Sequence, residues 1–476
     1  MERFPAWITL AILAAIYFLY LFRLTGTGLL KEDEPRYASI AREMARSGDW
    51  ITPRLWGHPW FEKPPLLYWM TAASIRIGIP EDLGPRLPIA ILSILFLAFF
   101  FSLLRREFGG RAACFSTAIL ATSAGWLAYS YVAVTDLPLS VFFSTAMLLG
   151  MLWLRTGTER WLITAAIALG LAVLAKSLVP LALSIPFAWS ARSKWRELLN
   201  WKAIACFLII AAPWYLLCYS RNGHSFVQTL FWEQQVGRLD AKALGHGQPF
   251  WYYLPAFLGA LFPWTPTLGL WRPSSDSRRI FLMQWVVFGL LFFSIFPNKL
   301  PGYILPLLPA TAALTGLALD EARGAARWAL AITAALLCVV FPLAAILPRA
   351  LAEGLSHANF PTWSYLWALP IGLAALVWHF DAREKRTAAV SLVAIAFTAA
   401  VIYLKLVSFP TIDSTVSARS LWREIAPIRD RVCVANLDRS WRYGLNYYSV
   451  IPLPDCEETP RPLKISQSEG APPSVK

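Results

Sequence analysis

The sequence predicts an all-α polytopic membrane protein. Three observations carry this: 57% of the 476 residues are hydrophobic, only 15% are charged, and the apolar residues come in long runs instead of at amphipathic spacing. A span needs about 20 mostly apolar residues to cross about 30 Å of hydrocarbon. Ala6 to Leu21 and Leu87 to Leu104 are runs of that order. The spans must be helical, because lipid satisfies no free backbone group and the alternation of barrel strands is absent.

Further runs fall at 112–130, 137–154, 161–175, 177–190, 201–219, 251–271, 280–296, 301–319, 328–347, 363–380 and 387–406, which makes about thirteen spans. The 161–175 and 177–190 pair is short or Pro-interrupted and reads as one hairpin or two half-spans. An odd total puts the two termini on opposite sides.

Basic residues resist translocation and gather in cytoplasmic loops. Arg105, Arg106 and Arg111, then Arg155 and Arg160, then Arg192, Lys194 and Arg196 occupy alternate connections. The series continues with Arg272, Arg278 and Arg279, with Arg323 and Arg327, and with Arg383, Lys385 and Arg386. The expected protein is therefore a multi-pass protein of a bacterial-type inner (plasma) membrane, with its N-terminus cytoplasmic and its C-terminus extracytoplasmic. The net charge of +14 is mostly this topology signal, plus attraction to the headgroups of membrane lipids. Nucleic-acid binding is excluded, since no soluble basic face with a recognisable fold is present. The first apolar run ends in Leu-Phe-Arg-Leu-Thr without a small-residue cleavage pattern, so an uncleaved first helix is expected.

Cys114, Cys206, Cys218 and Cys338 fall in spans as small apolar filler. Cys433 and Cys456 share the outer tail, where an oxidising compartment permits a disulfide. Residues 1–410 form the membrane domain, 411–458 a small extracytoplasmic α/β segment, and 459–476, rich in Pro, Ser and charge, a disordered tail. In the small segment, 417–425 and 442–448 read as helices and 432–435 as a strand.

Two outer segments are too long and polar to be plain connections, residues 24–86 and 220–250. In the first, Asp33 or Glu34 suits a helix cap and Pro35 the first helical position, while Tyr37, Ile40, Ala41 and Met44 recur at i, i+3, i+4 and i+7. This describes an amphipathic helix on the membrane surface, stopped by Gly48 and followed by a second helix after Pro64-Pro65. Glu32, Asp33 and Glu34 gather at its start, with Lys63 in the same loop. The plain reading is a solvated capping cluster. Asp33 can also act, because a carboxylate at a helix N-terminus is held ionised and well placed as a base.

Several motifs then point the same way: Asp33-Glu34-Pro35-Arg36-Tyr37, Ser47-Gly48-Asp49-Trp50, Phe61-Glu62-Lys63-Pro64-Pro65, Pro249-Phe250-Trp251-Tyr252-Tyr253, and Lys299-Leu-Pro-Gly-Tyr303-Ile-Leu-Pro306. In their order they resemble the GT-C glycosyltransferases of the protein mannosyltransferase and lipid A aminoarabinose transferase (ArnT-like) family, over roughly residues 5–410. The resemblance implies a GT-C type helical bundle. It also implies an inverting enzyme that moves a sugar from a polyprenyl-phosphate-linked donor to a lipid, glycan or protein acceptor on the outer side.

It implies site residues as well. Asp33 is the expected catalytic carboxylate, with Glu34 beside it and Asp136 as a second acid, although Asp136 alone equally suits the cap of the next span. A lipid phosphate leaving group asks for cations and donors. Lys63, Arg238, Lys299 and Tyr303 are the candidates, with Arg36 and Tyr37 lining the same site. Glu62 and His246 are the candidate ligands for a divalent metal ion, although Glu233-Gln234 stands where the family often shows Glu-His. The 220–250 loop is expected to close over the donor. The competing class is a transporter or lipid flippase, which usually places ionisable groups mid-membrane in broken helices and shows internal repeats. Here the spans are almost free of charge. An envelope scaffold would need no such cluster of acids and bases.

Overall fold

The structure, a computed structural model, describes residues 6–236, 247–357, 360–362, 364–468 and 471–476. Among these, eight helices are long and apolar enough to cross a bilayer. They become nine if Gly110–Ala121 and Ala124–Tyr131, bent by 57°, count as one span. Ala6–Leu21 and Val179–Ser190 are shorter apolar helices.

The difference from about thirteen uniform spans has local causes. The expected 251–271 span breaks into a 3-10 turn at Phe250–Tyr252, a helix at Tyr253–Ala260 and a 3-10 stretch at Thr265–Leu270, because Pro255, Pro263 and Pro266 each remove a backbone donor. The 112–130 span bends at Thr122 and Ser123, where the freed groups find partners on that broken segment. Ala124 N donates to Phe262 O at 2.9 Å, and Trp264 Nε1 to Thr122 Oγ1 at 2.8 Å. The 161–175 run is one continuous helix, Glu159–Lys176, whereas 177–190 splits into Val179–Leu183 and Ile185–Ser190, each with a proline in its first turn.

In the first loop the helix runs Asp33–Ser47, with Glu32 at its N-cap and Gly48, at φ 74°, closing it. Pro35 is thus the third helical residue and not the first, which is tolerated because the first four N–H groups lack helical partners anyway. The expected surface position is corrected. Eleven of its fifteen residues are buried, under the Leu66–Arg76 helix and the Arg439–Ser449 helix of the C-terminal tail.

The last long helix, Arg386–Thr415, runs across the expected boundary at 411. Beyond it, Ala418–Ile425 and Arg439–Ser449 pack on a three-stranded sheet. Its strand Val432–Asn436 pairs parallel with Leu463–Ser466, which pairs antiparallel with Ser474–Val475. The described residues of 459–476 therefore do not form a disordered tail. Composition hid a short strand whose Ile465 enters a small core with Ile425, Val432 and Leu445. Cys433 and Cys456 are joined by a disulfide.

Candidate active site

The site is built where the Asp33–Ser47 helix meets the Phe61-to-Pro65 turn. Asp33 and Arg36 are one turn apart, so they share a helix face, and Arg36 Nη2 lies 2.5 Å from Asp33 Oδ1. The same nitrogen is 3.0 Å from Glu62 Oε2. Glu62 also receives Trp60 Nε1 at 3.3 Å and has Lys63 Nζ at 3.2 Å. Arg36, Glu62 and Lys63 are nearly buried, whereas the Asp33 side chain is 48% exposed. Among the described residues only its Oδ1 is hydrogen-bonded, which leaves Oδ2 without a bond there.

Desolvation raises the pKa of Asp33 above the usual aspartate value, and the Glu62 and Asp136 carboxylates add to the shift, while Arg36 and Lys63 oppose it without cancelling it. Burial works against a charged Arg36, but Glu62, Tyr37 and Asp33 together outweigh it and hold the guanidinium firmly protonated.

Asp136 opens the Asp136–Thr156 helix. Its Oδ1 lies 2.6 Å from Lys176 Nζ, the last residue of Glu159–Lys176, and that ammonium sits 4.4 Å from the centre of the Tyr303 ring. Lys176 and Tyr303 line a cavity of about 240 Å³ with Glu62, Lys63 and Asn298 and with apolar Leu178, Val179, Phe292 and Phe296. The Tyr303 hydroxyl makes no hydrogen bond among the described residues. A chamber that joins one carboxylate, two ammonium groups and an apolar wall suits a ligand with an anionic head and a hydrocarbon chain.

Residues 62–216, which begin at this site, match the family model of dolichyl-phosphate-mannose-protein mannosyltransferases. Over 339 residues the chain is 32% identical to the undecaprenyl phosphate-alpha-4-amino-4-deoxy-L-arabinose arabinosyl transferase of Pseudomonas aeruginosa, covering 67% of this chain and 61% of that protein. It is likewise 32% identical over 343 residues to the enzyme of that name from Edwardsiella ictaluri, covering 66% and 59%. In sequence the chain is similar to the protein mannosyltransferase and ArnT-like family. It spans about three fifths of the length of these relatives. The crystal structure of ArnT from Cupriavidus metallidurans bound to undecaprenyl phosphate shares its fold, with a TM-score of 0.76 at 23% identity over 98% of this chain and 93% of that one. The arabinosyltransferase EmbB from Mycobacterium smegmatis is similar in fold at a TM-score of 0.55 and 12% identity, covering 94% of this chain and 44% of EmbB.

Of the residues that the ArnT-like resemblance singles out, the structure brings Asp33, Arg36, Tyr37, Glu62, Lys63, Asp136 and Tyr303 into one region. Tyr37 is buried, its ring 5.3 Å below the Arg36 guanidinium. Glu34 is a correction. Its carboxylate is buried, paired with Arg86 at 2.7 Å through both oxygens, and accepts from Leu30 N and Ala133 N. Adjacent helix positions lie about 100° apart, so Asp33 and Glu34 cannot face one site. Lys299 is a second correction. Its ammonium donates to the carbonyls of Gln248 at 3.0 Å and Phe296 at 2.5 Å, and it is not among the cavity-lining residues. Desolvation lowers its pKa. Arg238 and His246 lie outside the described residues.

Among the described residues no group of three His, Cys, Asp or Glu is placed to hold a metal. The Glu62 carboxylate already faces Arg36, Lys63 and Trp60.

Two members of the site escaped the sequence. Lys176 follows the expected 161–175 span directly, so a search for cations at the ends of apolar runs would have found it. Tyr443 comes from the tail. Its ring centre is 5.4 Å from the Arg36 guanidinium and 5.5 Å from the Trp56 ring. No local signal marks such a contact.

Proposed function

We propose that this chain is an inverting glycosyltransferase that moves a sugar from a polyprenyl-phosphate donor to an envelope acceptor on the outer side of the membrane. The observation that carries the proposal is the half-exposed Asp33, with an unbonded oxygen, coupled to the Arg36–Glu62–Lys63 cluster that borders the cavity. In the reaction an acceptor oxygen forms a bond to the anomeric carbon as the bond from that carbon to the phosphate oxygen breaks. The electron pair leaves on the lipid phosphate. Asp33 Oδ2 orients the acceptor and takes its proton when it is a hydroxyl. Lys63 and Lys176 stabilise the charge that grows on the phosphate, and the Tyr303 hydroxyl donates to it. Asp136 fixes Lys176. No step is assigned to a metal.

The names of the relatives support undecaprenyl phosphate as the carrier and 4-amino-4-deoxy-L-arabinose as the sugar. A lipid A-like glycolipid is the acceptor expected for such an activity, ahead of polysaccharide or protein. The basic loops and the Cys433–Cys456 disulfide together support a cytoplasmic N-terminus and an extracytoplasmic tail. The eight or nine long spans and the two shorter apolar helices among the described residues support a GT-C bundle. The transporter reading finds no support, since the charged cluster lies in the first loop and not in a broken helix at mid-membrane.

The test is transfer by purified protein supplied with undecaprenyl-phosphate aminoarabinose and lipid A, with mass spectrometry of the envelope glycolipids of cells with and without the protein. A sugar that appears on the acceptor with wild type and not with Asp33→Asn supports the reading. No transfer to any acceptor pool overturns it.

A further inference from the structure

A second cavity, of about 540 Å³, lies at the other end of the bundle. Two helices fix its place. The Ser277–Ile295 helix, about 28 Å long, contributes Arg279, Ile280 and Met283 from its first turns, while its far end leads to Asn298 at the candidate active site. The Leu308–Glu321 helix starts beyond Tyr303 and contributes Leu317 and Glu321 from its last turns. The cavity and the active site therefore sit at opposite membrane faces.

Its lining has two characters. Ile280, Met283 and Leu317 make an apolar wall, and Ile280 is 41% exposed on the outer side of its helix, so the wall continues toward lipid. Arg272, Arg279 and Glu321 form a polar rim. Glu321 accepts from both terminal nitrogens of Arg279, which leaves Arg279 Nε buried with no acceptor. Arg272 is exposed, and among the described residues no carboxylate lies within ion-pair range of it. Two cations against one carboxylate leave the rim one net positive charge. The planar guanidinium of Arg272, exposed at the rim, suits paired hydrogen bonds to an oxyanion.

We propose that this cavity binds an anionic phospholipid of the leaflet opposite the active site. The phosphodiester oxygens pair with the Arg272 guanidinium at the polar rim, and an acyl chain runs along Ile280 and Met283 into the bilayer. A free inorganic anion would leave the apolar wall unused. A lipid without net charge would leave the rim charge unbalanced. The proposal stands independently of the reaction assigned to the other face.

The test is native mass spectrometry of the intact protein, exchanged into equimolar phosphatidylglycerol and phosphatidylcholine of the same chains. Phosphatidylglycerol should be retained preferentially. Arg272→Ala should lower that retention about fivefold, the equivalent of about 1 kcal/mol for one basic group at a lipid headgroup. Ala318→Leu, which fills the apolar part, should reduce retention of both lipids. Equal retention of the two lipids by wild type, or an Arg272→Ala protein that retains phosphatidylglycerol like wild type, overturns the proposal. Retention of inorganic phosphate in place of lipid does so as well. Arg272 is exposed and, among the described residues, has no ion-pair partner, so its replacement leaves the fold intact and the outcome readable.

Discussion

The guanidinium of Arg36 lies 5.4 Å from the ring centre of Tyr443. The cation that joins Asp33 to Glu62 is therefore held on one side by the far end of the chain. Tyr443 acts as a positioning residue, since it touches Arg36 and not the Asp33 carboxylate. A cation–π contact at a desolvated site amounts to about 2 kcal/mol. Tyr443→Leu should lower transfer by up to about thirtyfold with donor KM little changed, whereas Tyr443→Phe, which keeps the ring, should stay near wild type. Equal losses in both variants would point to the hydroxyl instead.

Asp33→Asn should lower kcat by about 10²–10⁴, the usual range for a lost general base. Binding of undecaprenyl phosphate, measured by thermal shift, should persist, because the groups assigned to the phosphate are elsewhere. Loss of binding and rate together would place Asp33 with the donor and not the acceptor.

The acid limb of the pH–rate profile should reflect Asp33. Its pKa is raised, chiefly by desolvation, so as pH falls the carboxylate is protonated, and activity lost, above the ordinary aspartate value of about 3.9. Arg36 lowers that pKa, and Arg36→Gln should therefore move the limb to still higher pH. Stability carries the matching sign. A carboxylate whose folded pKa is raised is fully accommodated below its unfolded pKa, and stability falls as pH rises toward the folded pKa. At neutral pH Asp33→Asn should melt no lower than wild type. A limb that stays in place when Arg36 is replaced would assign it to another group.

Glu34→Gln should damage the fold and not the chemistry. Its partner Arg86 is fully buried, and breaking a buried pair costs about 3–5 kcal/mol. Melting should occur earlier and yield should drop, while the folded fraction keeps its acid limb. Normal stability with lost turnover would return Glu34 to the site.

Prolonged dialysis against EDTA should leave the transfer rate unchanged, since Glu62 is engaged by Arg36, Lys63 and Trp60. Restoration of a lost rate by one divalent ion would instead assign Glu62 a ligand role.

What was legible in the sequence depended on how local the cause was. Gly48 closes the first-loop helix as its αL propensity requires, and Asp33 and Arg36 share a face because they are one turn apart. The expected tail helices and strand appear within a few residues of their predicted bounds. The Glu34 error came from counting an acid without asking which face it occupies. Lys299 had the right sequence neighbourhood, but its ammonium turned to backbone carbonyls that no motif reveals.

The sequence by itself determined that the chain is a helical membrane protein and which loops carry its charge, because hydropathy over a span and i to i+3 spacing are properties of adjacent residues. Only the tertiary structure decided that Lys176 meets Asp136, that Glu34 is locked to Arg86, and that Tyr443 covers Arg36. Each of these depends on which helices pack together, and packing sums many weak contacts between distant parts of the chain. The bend at Thr122 is of the same kind, since its broken backbone is tolerable only where the Tyr253–Leu270 region supplies the missing partners.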